Sequence, residues 1–401
     1  MNIRQVHRLE PSHFRAGVGL PVSASGEQEL SVAVFGPGSG EAILIQLPNG
    51  QMGVVDGCRE PSDPLTGVGD PVHTLLKAMN IQEIAFVCMT HAHDDHYRGL
   101  ATLLRTYSDR IAHVWWGGER ELKFERRWRD SLRRSKKVGS KGDPTRQVPR
   151  TDDEDHLTAL IDELKNSLWC SKRRTQSFSD VKRLAELGSG NERVKIQGLG
   201  PSTFDLHRAL RNELDKSTPA RTFNPNAVSG ALLIQWGETR VLLGGDQLEG
   251  KSEKEGWKAV LRNIPRPLTL IKVAHHASEE AHHEPIWQPK PKLAIVTPYQ
   301  YASGDQPPKS KMLEQLSQLS PVVPTAEPRW WSLQQHSLTR SHNSLAVAQQ
   351  APLIPRPRTP LKGQLVTAPD AIDNAVLVRM NRTGEVTEVV LAGEAAFYSR
   401  V

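Results

Sequence analysis

Residues 84–100 read IAFVCMTHAHDDHYRGL, and this stretch decides the fold. Its first seven residues, 84–90, are mostly apolar and have the length and β-branched content of a buried strand. The run ends at HAHDDH, residues 91–96, where six positions hold three imidazoles and two carboxylates. A packed core does not use residues in this way, because each group would need its own partner once buried. The pattern therefore indicates a metal site in a loop at the end of a strand.

The composition excludes several classes of protein. The chain has 401 residues, 37% of them hydrophobic, and no run approaches the roughly 18 consecutive apolar residues of a membrane span. The first residues, MNIRQVHRLEPSHF, lack the apolar segment of a secretory signal. The three cysteines are an odd number without a CxxC spacing. We therefore expect no disulfide framework, no membrane partner and a cytoplasmic location.

Strands and helices alternate along the chain in an α/β pattern. We predict strands over residues 31–35, 41–47, 51–57, 84–90, 111–116, 193–199, 230–236, 240–244, 268–274, 293–297, 374–380 and 386–391. We predict helices over residues 71–79, 97–107, 152–169, 204–214, 254–262 and 309–319. This order favours a single domain over residues 1–401, with two sheets packed face to face and helices outside. Residues 321–369 are rich in Pro, Gln and Ser and are expected to be loop-rich.

Residues 118–190 differ in character and are predicted to form a basic helical insertion. Between residues 126 and 150 there are ten basic side chains and only two acidic ones, Asp130 and Asp143. The run lacks the alternating signs of a self-compensating surface helix, and Trp128 lies within it. We expect contact with a nucleic-acid backbone, whereas a solvated charged face is the alternative. The side chains assigned to this contact are Arg126, Arg127, Arg129, Arg133, Arg134, Lys136, Lys137 and Lys141.

Because metal ligands have to converge, polar residues at other strand ends are candidates as well. Asp246 ends the run VLLGGD, whose two glycines permit a sharp turn. His275 follows LTLIKVA, and Asn226 precedes the predicted strand GALLIQW. With the loop included, the candidate ligands are His91, His93, Asp95, His96, Asn226, Asp246 and His275.

This set resembles the metallo-β-lactamase fold superfamily. The stretches THAHDDH, LLGGDQ and KVAHHAS match its second, fourth and fifth motifs, and Asp56 in VVDG matches its first. Within the superfamily, EAILIQLPNGQMGVVDG, the pair Asn226 and Ser229, and LIKVAHHAS are most similar to the hydrolase domain of ComEC-type DNA-uptake proteins. The fold that this resemblance implies is an αββα sandwich, an α/β class with four layers.

The resemblance also implies a centre of two divalent cations, Zn²⁺ or Mn²⁺. By position it assigns one cation to His91 and His93, the second to Asp95, His96 and His275, and both to Asp246. Two cations that share a water lower its pKa from about 16 towards 7, which provides hydroxide at neutral pH. Asp95 and Asp246 are then the catalytic carboxylates, since they anchor the cations and orient the hydroxide.

Three further side chains are expected to lie at this centre, and one of the candidate ligands departs from the superfamily pattern. Asp56 corresponds to a structural aspartate that supports the ligand loop, and Ser229 and His276 are expected to support the site without binding metal. Asn226 stands where most members of the superfamily have a third histidine. As a weaker oxygen donor, this side chain leaves the choice between Zn²⁺ and Mn²⁺ open.

The sequence therefore predicts a metal-dependent hydrolase, a binuclear phosphodiesterase or nuclease. The ComEC-type resemblance favours DNA over RNA as the substrate, and a protein partner is left open. Two alternatives belong to other classes. One is a metallo-hydrolase for a small substrate such as a lactone, thioester or phosphoester, and the other is a binding module whose metal site is structural.

Overall fold

The computed structural model describes residues 3–9, 28–36, 41–58, 70–118, 153–169, 174–214, 224–299, 306–326, 328 and 374–398. In chain order, the strands are β1 (Gln5–Leu9), β2 (Leu30–Phe35), β3 (Ala42–Gln46), β4 (Met52–Val55), β5 (Gly57–Cys58), β6 (Ile84–Met89), β7 (Ile111–Gly117), β8 (Arg174–Phe178), β9 (Val181–Leu187), β10 (Val194–Leu199), β11 (Ala231–Trp236), β12 (Thr239–Leu243), β13 (Leu270–Lys272), β14 (Leu293–Val296), β15 (Val322–Pro324), β16 (Ala375–Met380) and β17 (Val386–Ala392). The α-helices are α1 (Pro71–Ala78), α2 (Asp94–Tyr97), α3 (Leu100–Thr106), α4 (Asp153–Trp169), α5 (Thr203–Leu214), α6 (Gly256–Val260) and α7 (Ser310–Leu319).

The strands form two mixed sheets. In the described residues, the first has nine strands in the order β1-β17-β16-β2-β3-β4-β6-β7-β8, and the second has seven in the order β15-β14-β13-β12-β11-β10-β9. Strands β4, β6, β7 and β8 run parallel to one another, as do β12, β13, β14 and β15. Parallel strands carry their connections to the same edge of a sheet, and that edge is where α/β folds place binding sites.

Three clusters of buried apolar side chains define four layers. The central cluster joins the facing sides of the two sheets, with Trp115 from the first sheet and Ile234 from the second. A second cluster packs α1, α3 and α4 on the outer face of the first sheet. A third packs α6 and α7 on the outer face of the second sheet, around Trp257 and Leu313. The predicted αββα sandwich is confirmed.

Each predicted strand corresponds to a strand of the structure, and the largest difference lies at residues 174–187. The prediction of a helical segment is wrong there, because these residues form β8 and β9 at sheet edges. Leu184 and Ala185 of β9 enter the central core, while Lys182 and Arg183 are exposed. Charged side chains on edge strands prevent further strand pairing, and they hid the strand pattern.

Some predictions fall outside the described residues. Residues 119–150, with the eight basic side chains assigned to nucleic acid, are among these, as is most of the predicted loop-rich segment at 321–369. At the start of that segment, Val322–Pro324 forms β15. None of the helices in the described part of the chain has the length and apolar character needed to cross a bilayer.

Candidate metal centre

The polar side chains of the centre come from connections at one edge of the sandwich. The loop after β6 carries His91 and His93, and the short helix α2 that follows it carries Asp95 and His96. Asp246 follows β12, and the two histidines 275 and 276 follow β13. Asn226 and Ser229 lie at a single 3₁₀ turn, Pro225–Val228, before β11. Both sheets therefore contribute side chains to the same place.

Two groups of donor atoms lie close enough to hold a cation each. The first group consists of His91, His93 and Asp246, and the second consists of Asp95, His96, Asp246 and His276. In each group the ligand atoms lie within 4.8 Å of one another. Asp246 belongs to both groups. Its Oδ2 atom lies 3.8 Å from Nε2 of His91, and its Oδ1 atom lies 3.2 Å from Nε2 of His96. One carboxylate therefore lies between the two groups, as a bridging ligand requires.

Asp56 supports the segment that carries the candidate ligands through hydrogen bonds to Thr90 and His96. Its carboxylate accepts hydrogen bonds from the backbone N–H and the hydroxyl of Thr90, both at 2.7 Å, and from Nδ1 of His96 at 2.8 Å. Burial raises the pKa of Asp56, although the His96 imidazole and the Thr90 hydrogen bonds oppose the rise. A further donor group, Glu41, Asp56 and His96, overlaps this network. We interpret it as support, because the Asp56 oxygens are already engaged.

The hydrogen bond to Asp56 sets the state of His96. With Nδ1 donating to Asp56, Nε2 is the atom that points towards Asp246. Burial opposes a charge on His96, but the carboxylates of Asp246, Asp95 and Asp56 outweigh it and raise the pKa of the imidazole well above its usual value. Without metal, a proton on Nε2 therefore takes the place that a cation would occupy.

His91 is held in the same tautomer by hydroxyl groups. The Thr90 hydroxyl donates to Asp56, so that its oxygen accepts from Nδ1 of His91 at 3.1 Å, and the Ser229 hydroxyl lies 3.3 Å from the same nitrogen. Burial, assisted by the neighbouring His96, lowers the pKa of His91 well below its usual value. The ring is therefore neutral, with its Nε2 lone pair directed at Asp246. The Ser229 oxygen also accepts the Asp246 N–H at 2.9 Å.

His276, rather than His275, completes the second donor group. Nδ1 of His276 donates to the carbonyl of Thr297 at 2.8 Å, and its Nε2 lies 3.1 Å from Oδ2 of Asp95. His275 instead accepts a hydrogen bond at Nε2 from the Asn226 amide, and it lies 3.9 Å from Asp246. Among the described residues, the donor group therefore contains His276, which the sequence predicted as support, and does not contain His275, which the sequence predicted as a ligand. Which of the two rings binds metal stays a prediction.

The backbone explains why the sequence does not show which of the two rings lies at Asp95. His275, His276 and Ala277 all have positive φ, at 48°, 53° and 61°. This left-handed turn after β13 has no signature in its side chains, since non-glycine residues adopt the conformation only where their surroundings hold them in it. The dipeptide His275-His276 marked the right place, but not which ring enters the group. The Thr297 carbonyl was also missed, because a backbone acceptor leaves no mark in the sequence.

The donor atoms fit divalent cations. Among the described side chains, several buried atoms have no hydrogen-bond partner, and at this centre they include His91 Nε2, His96 Nε2, Asn226 Oδ1 and both carboxylate oxygens of Asp246. Leaving such atoms unsatisfied is costly unless they bind something. Imidazole nitrogen and carboxylate oxygen are the ligands that Zn²⁺ and Mn²⁺ accept. The residues present therefore suit divalent cations.

No protein-family model matches this chain, and no curated protein matches it significantly. Similar solved structures include the metallo-β-lactamase fold protein YhfI from Bacillus subtilis, with 12% identity, 74% of this chain and 96% of that chain covered, and a TM-score of 0.36. The short form of human tRNase Z has 16% identity, with 72% and 88% covered and a TM-score of 0.31. Zn²⁺-bound PqqB from Methylobacterium extorquens has 9% identity, with 62% of each chain covered and a TM-score of 0.28. The ComEC-type resemblance stays a prediction from the sequence.

Proposed function

We propose that this chain is a phosphodiesterase that uses two divalent cations to hydrolyse nucleic acid. The observation that carries the proposal is the position of Asp246. Its two carboxylate oxygens face imidazoles of different donor groups, His91 at 3.8 Å and His96 at 3.2 Å. A carboxylate shared by two donor groups suits a pair of cations that act on one phosphate, whereas a single structural cation would need only one of the groups.

The ligands follow from the two donor groups. One cation is assigned to His91, His93 and Asp246, and the other to Asp95, His96, Asp246 and His276. Asn226 supplies a further oxygen, because its amide nitrogen donates to His275 while its Oδ1 atom is buried without a partner. Zn²⁺ and Mn²⁺ both remain in the proposal, since the set combines imidazole nitrogen with carboxylate and amide oxygen.

The protein orients the groups before a substrate arrives. The bonds from His96 to Asp56 and from His276 to Thr297 fix the proton of each ring on Nδ1, so that Nε2 is the ligating atom. When bound, two cations lower the pKa of a water between them and neutralise charge on a phosphate. In the hydrolysis, the water oxygen forms a bond to phosphorus, the ester P–O bond breaks, and the leaving oxygen takes up a proton.

The rim of the centre is the side on which a substrate can enter. Most side chains of the donor groups are buried, but that of His93 is 30% exposed and that of the adjacent His275 is 22% exposed. The net charge of +6 and the basic run at residues 126–150 favour a polyanion as substrate. We propose DNA as the substrate because of the ComEC-type resemblance, and RNA is the alternative that the experiment below includes.

The test starts from protein stripped of metal with a chelator. Mn²⁺, Zn²⁺ or Mg²⁺ is then added separately to protein with labelled single- and double-stranded DNA and RNA, and with bis-p-nitrophenyl phosphate as a small diester. We expect cleavage of a polymer with at least one cation and no cleavage without metal. Asp95→Ala is the inactive control, and equal turnover by this variant would overturn the proposal.

A second experiment separates polymer from small-molecule chemistry. We expect that replacing Arg126, Arg127, Arg129 and Arg133 by Gln raises KM for the polymer at least tenfold, on the order expected when several phosphate contacts are lost. Hydrolysis of the small diester should stay unchanged. Equal losses on both substrates would favour a small-molecule hydrolase. Metal binding without any turnover would favour a binding module.

A further inference from the structure

Lys272 and Glu41 form a fully buried ion pair close to the candidate metal centre. Lys272 is the last residue of β13 in the second sheet, and Glu41 directly precedes β3 in the first. The Lys272 ammonium group donates to Oε2 of Glu41, and neither residue has any measurable exposure to solvent. Neither residue belongs to the two donor groups of the centre. The pair therefore links the two sheets at the edge where the candidate ligands meet.

Glu41 connects this pair to both sides of the second donor group. Its backbone N–H donates to the carbonyl of Asp95 at 2.9 Å. Its Oε2 atom accepts from the hydroxyl of Thr297 at 3.1 Å. The carbonyl of the same threonine accepts the Nδ1 proton of His276 at 2.8 Å. Asp95 lies in α2, which follows β6 of the first sheet, and His276 lies in the turn after β13 of the second sheet, so that Glu41 connects candidate ligands from both sheets.

Stability alone does not account for such a pair. Burial lowers the pKa of Lys272 well below its usual value, which expresses the cost of keeping an ammonium group out of water. Replacing a buried ion pair by neutral side chains of similar volume is often neutral or even stabilising. An apolar pair at this point would hold the sheets together as well. What it would not provide is a directional bond to Thr297 at a fixed position.

We infer that Glu41 and Lys272 are a positioning pair that sets the separation between Asp95 and His276 for the second cation. The inference rests on the proposed two-metal centre. Lys272 fixes the Glu41 carboxylate, Glu41 orients Thr297 and the Asp95 backbone, and these orient the two ligands. Partners of this kind behind metal ligands typically change metal affinity 10- to 100-fold.

The test replaces the pair with neutral side chains of similar length. The double variant Glu41→Gln/Lys272→Met is compared with Glu388→Gln/Arg379→Met, which removes a second ion pair with an N–O distance of 2.5 Å. Arg379 is a buried residue paired in register with Ser31, at the other end of β2 from Phe35 and Glu41. The control therefore removes an ion pair at the other end of β2, whose carboxylate is 23% exposed and whose arginine also lies 3.7 Å from Glu29.

Three quantities are measured for each variant. They are the denaturation midpoint in chelator, the affinity for the second equivalent of Zn²⁺ or Mn²⁺ by calorimetry, and kcat and KM with the small diester. For Glu41→Gln/Lys272→Met we expect a denaturation midpoint close to that of the control. Its affinity for the second cation should be lowered about 10- to 100-fold. Its kcat should fall, while its KM should stay unchanged. The control should bind two cations as the wild type does.

Two results would overturn the inference. One is unchanged affinity for the second cation in the double variant, and the other is an equal loss of affinity in the control. If the double variant does not fold, Thr297→Val decides the question, because it keeps the carbonyl that His276 bonds at 2.8 Å and removes the hydroxyl, which bonds Glu41 at 3.1 Å and has only a long contact of 3.4 Å with Nδ1 of His276. We expect a loss of about two- to tenfold in second-cation affinity for this variant, and no loss would contradict the inference. Wild-type protein that binds two cations but cleaves no diester would refute the proposed function and leave this metal-affinity test intact.

Discussion

The side-chain amide of Asn226 donates to Nε2 of His275 over 2.9 Å, and this bond occupies the nitrogen that His275 directs towards Asp246. The two side chains form a pair beside the donor groups. His276 is turned the other way, with Nε2 at Asp95 and Nδ1 bonded to Thr297. Two adjacent histidines therefore have different environments, and the difference can be measured.

We expect His276→Ala to reduce the number of tightly bound cations from two to one. His275→Ala should retain two, because its ring lies outside both donor groups. Metal content after dialysis, measured by mass spectrometry, checks the stoichiometry, and calorimetry gives the affinity. The matched pair of variants removes the same side chain one residue apart. Loss of a cation in His275→Ala and not in His276→Ala would restore the ligand set inferred from the sequence.

The sequence predicts a feature of the site only where neighbouring residues in the chain form a pattern that indicates it. The strand before His91 and the two glycines before Asp246 indicated correctly where polar groups meet, because strand periodicity and glycine both have local signatures. The choice between His275 and His276 depends on three consecutive positive φ angles. Angles of this kind depend on the surrounding structure, which the local sequence does not report.

Glu41 and Lys272 illustrate the same limit for tertiary contacts. Each stands next to an apolar strand segment, in EAILIQL and in LIKVA, and each reads as an ordinary charged residue at a strand end. Their pairing joins positions 231 residues apart. Long-range pairing of this kind is decided by how the sheets stack, and a single sequence contains no pattern for it.

Asp56→Asn should weaken metal binding by about 10- to 100-fold, because Asp56 holds His96 in the tautomer that binds through Nε2. An asparagine amide cannot accept from Thr90 and His96 with both of its terminal atoms. We also expect the free energy of unfolding of the metal-free protein to fall by about 1–3 kcal/mol. Chemical denaturation in chelator and calorimetry with Zn²⁺ or Mn²⁺ check the two effects separately.

Asp180→Asn is the matched control for this substitution. Asp180 has φ of 52° against 56° for Asp56, and it likewise accepts from the backbone N–H and the hydroxyl of one threonine, Thr203. It does not bond to a histidine of the centre. The control should lose some stability and no metal affinity. Equal losses of affinity in both variants would show that Asp56 acts through general stability.

In the metal-free protein, His96 should make the free energy of unfolding depend on pH on the alkaline side. Burial opposes its charge, but Asp246, Asp95 and Asp56 raise its folded pKa well above the usual 6.5. A raised pKa contributes stability below the unfolded value, and this contribution is lost as the pH rises through the folded pKa. Stability in chelator should therefore decrease above about pH 6.5.

On the acid side of pH 6.5, His91 and His275 should make the stability of the metal-free protein decrease as the pH falls. Burial is the main cause that lowers the pKa of both rings below 6.5. The unfolded chain then binds protons that the folded chain does not, so that stability is lost as the pH falls below the unfolded value. Urea denaturation in chelator from pH 5 to 9 checks both slopes. Burial lowers the pKa of Lys272, which adds a contribution of the opposite sign at alkaline pH in the wild type and in Asp246→Asn alike. Asp246→Asn should remove much of the His96 contribution, and identical alkaline slopes in the two proteins would contradict the assignment for His96.

Gly245→Ala should damage both the fold and the metal centre. Gly245 has φ of 50°, and a Cβ atom there would lie 2.5 Å from the carbonyl oxygen of Gly230 and 2.9 Å from Oγ of Ser229. Ser229 accepts the N–H of Asp246, so that any movement of this serine also moves the carboxylate shared by the two donor groups. Gly190→Ala is the matched control, since Gly190 has φ of 52° and no atom within 4 Å of a new Cβ.

The two variants separate backbone strain from the crowding at the centre. Gly190→Ala should cost about 1–2 kcal/mol in the free energy of unfolding, the usual cost of a left-handed conformation for alanine. Gly245→Ala should cost about 1–3 kcal/mol more, because the steric overlap adds to the strain, and it alone should lower the affinity for both cations. Denaturation in chelator and calorimetry provide the two measurements. If Gly245→Ala bound both cations as tightly as Gly190→Ala does, the close packing of Gly245 on Ser229 would have no part in positioning Asp246.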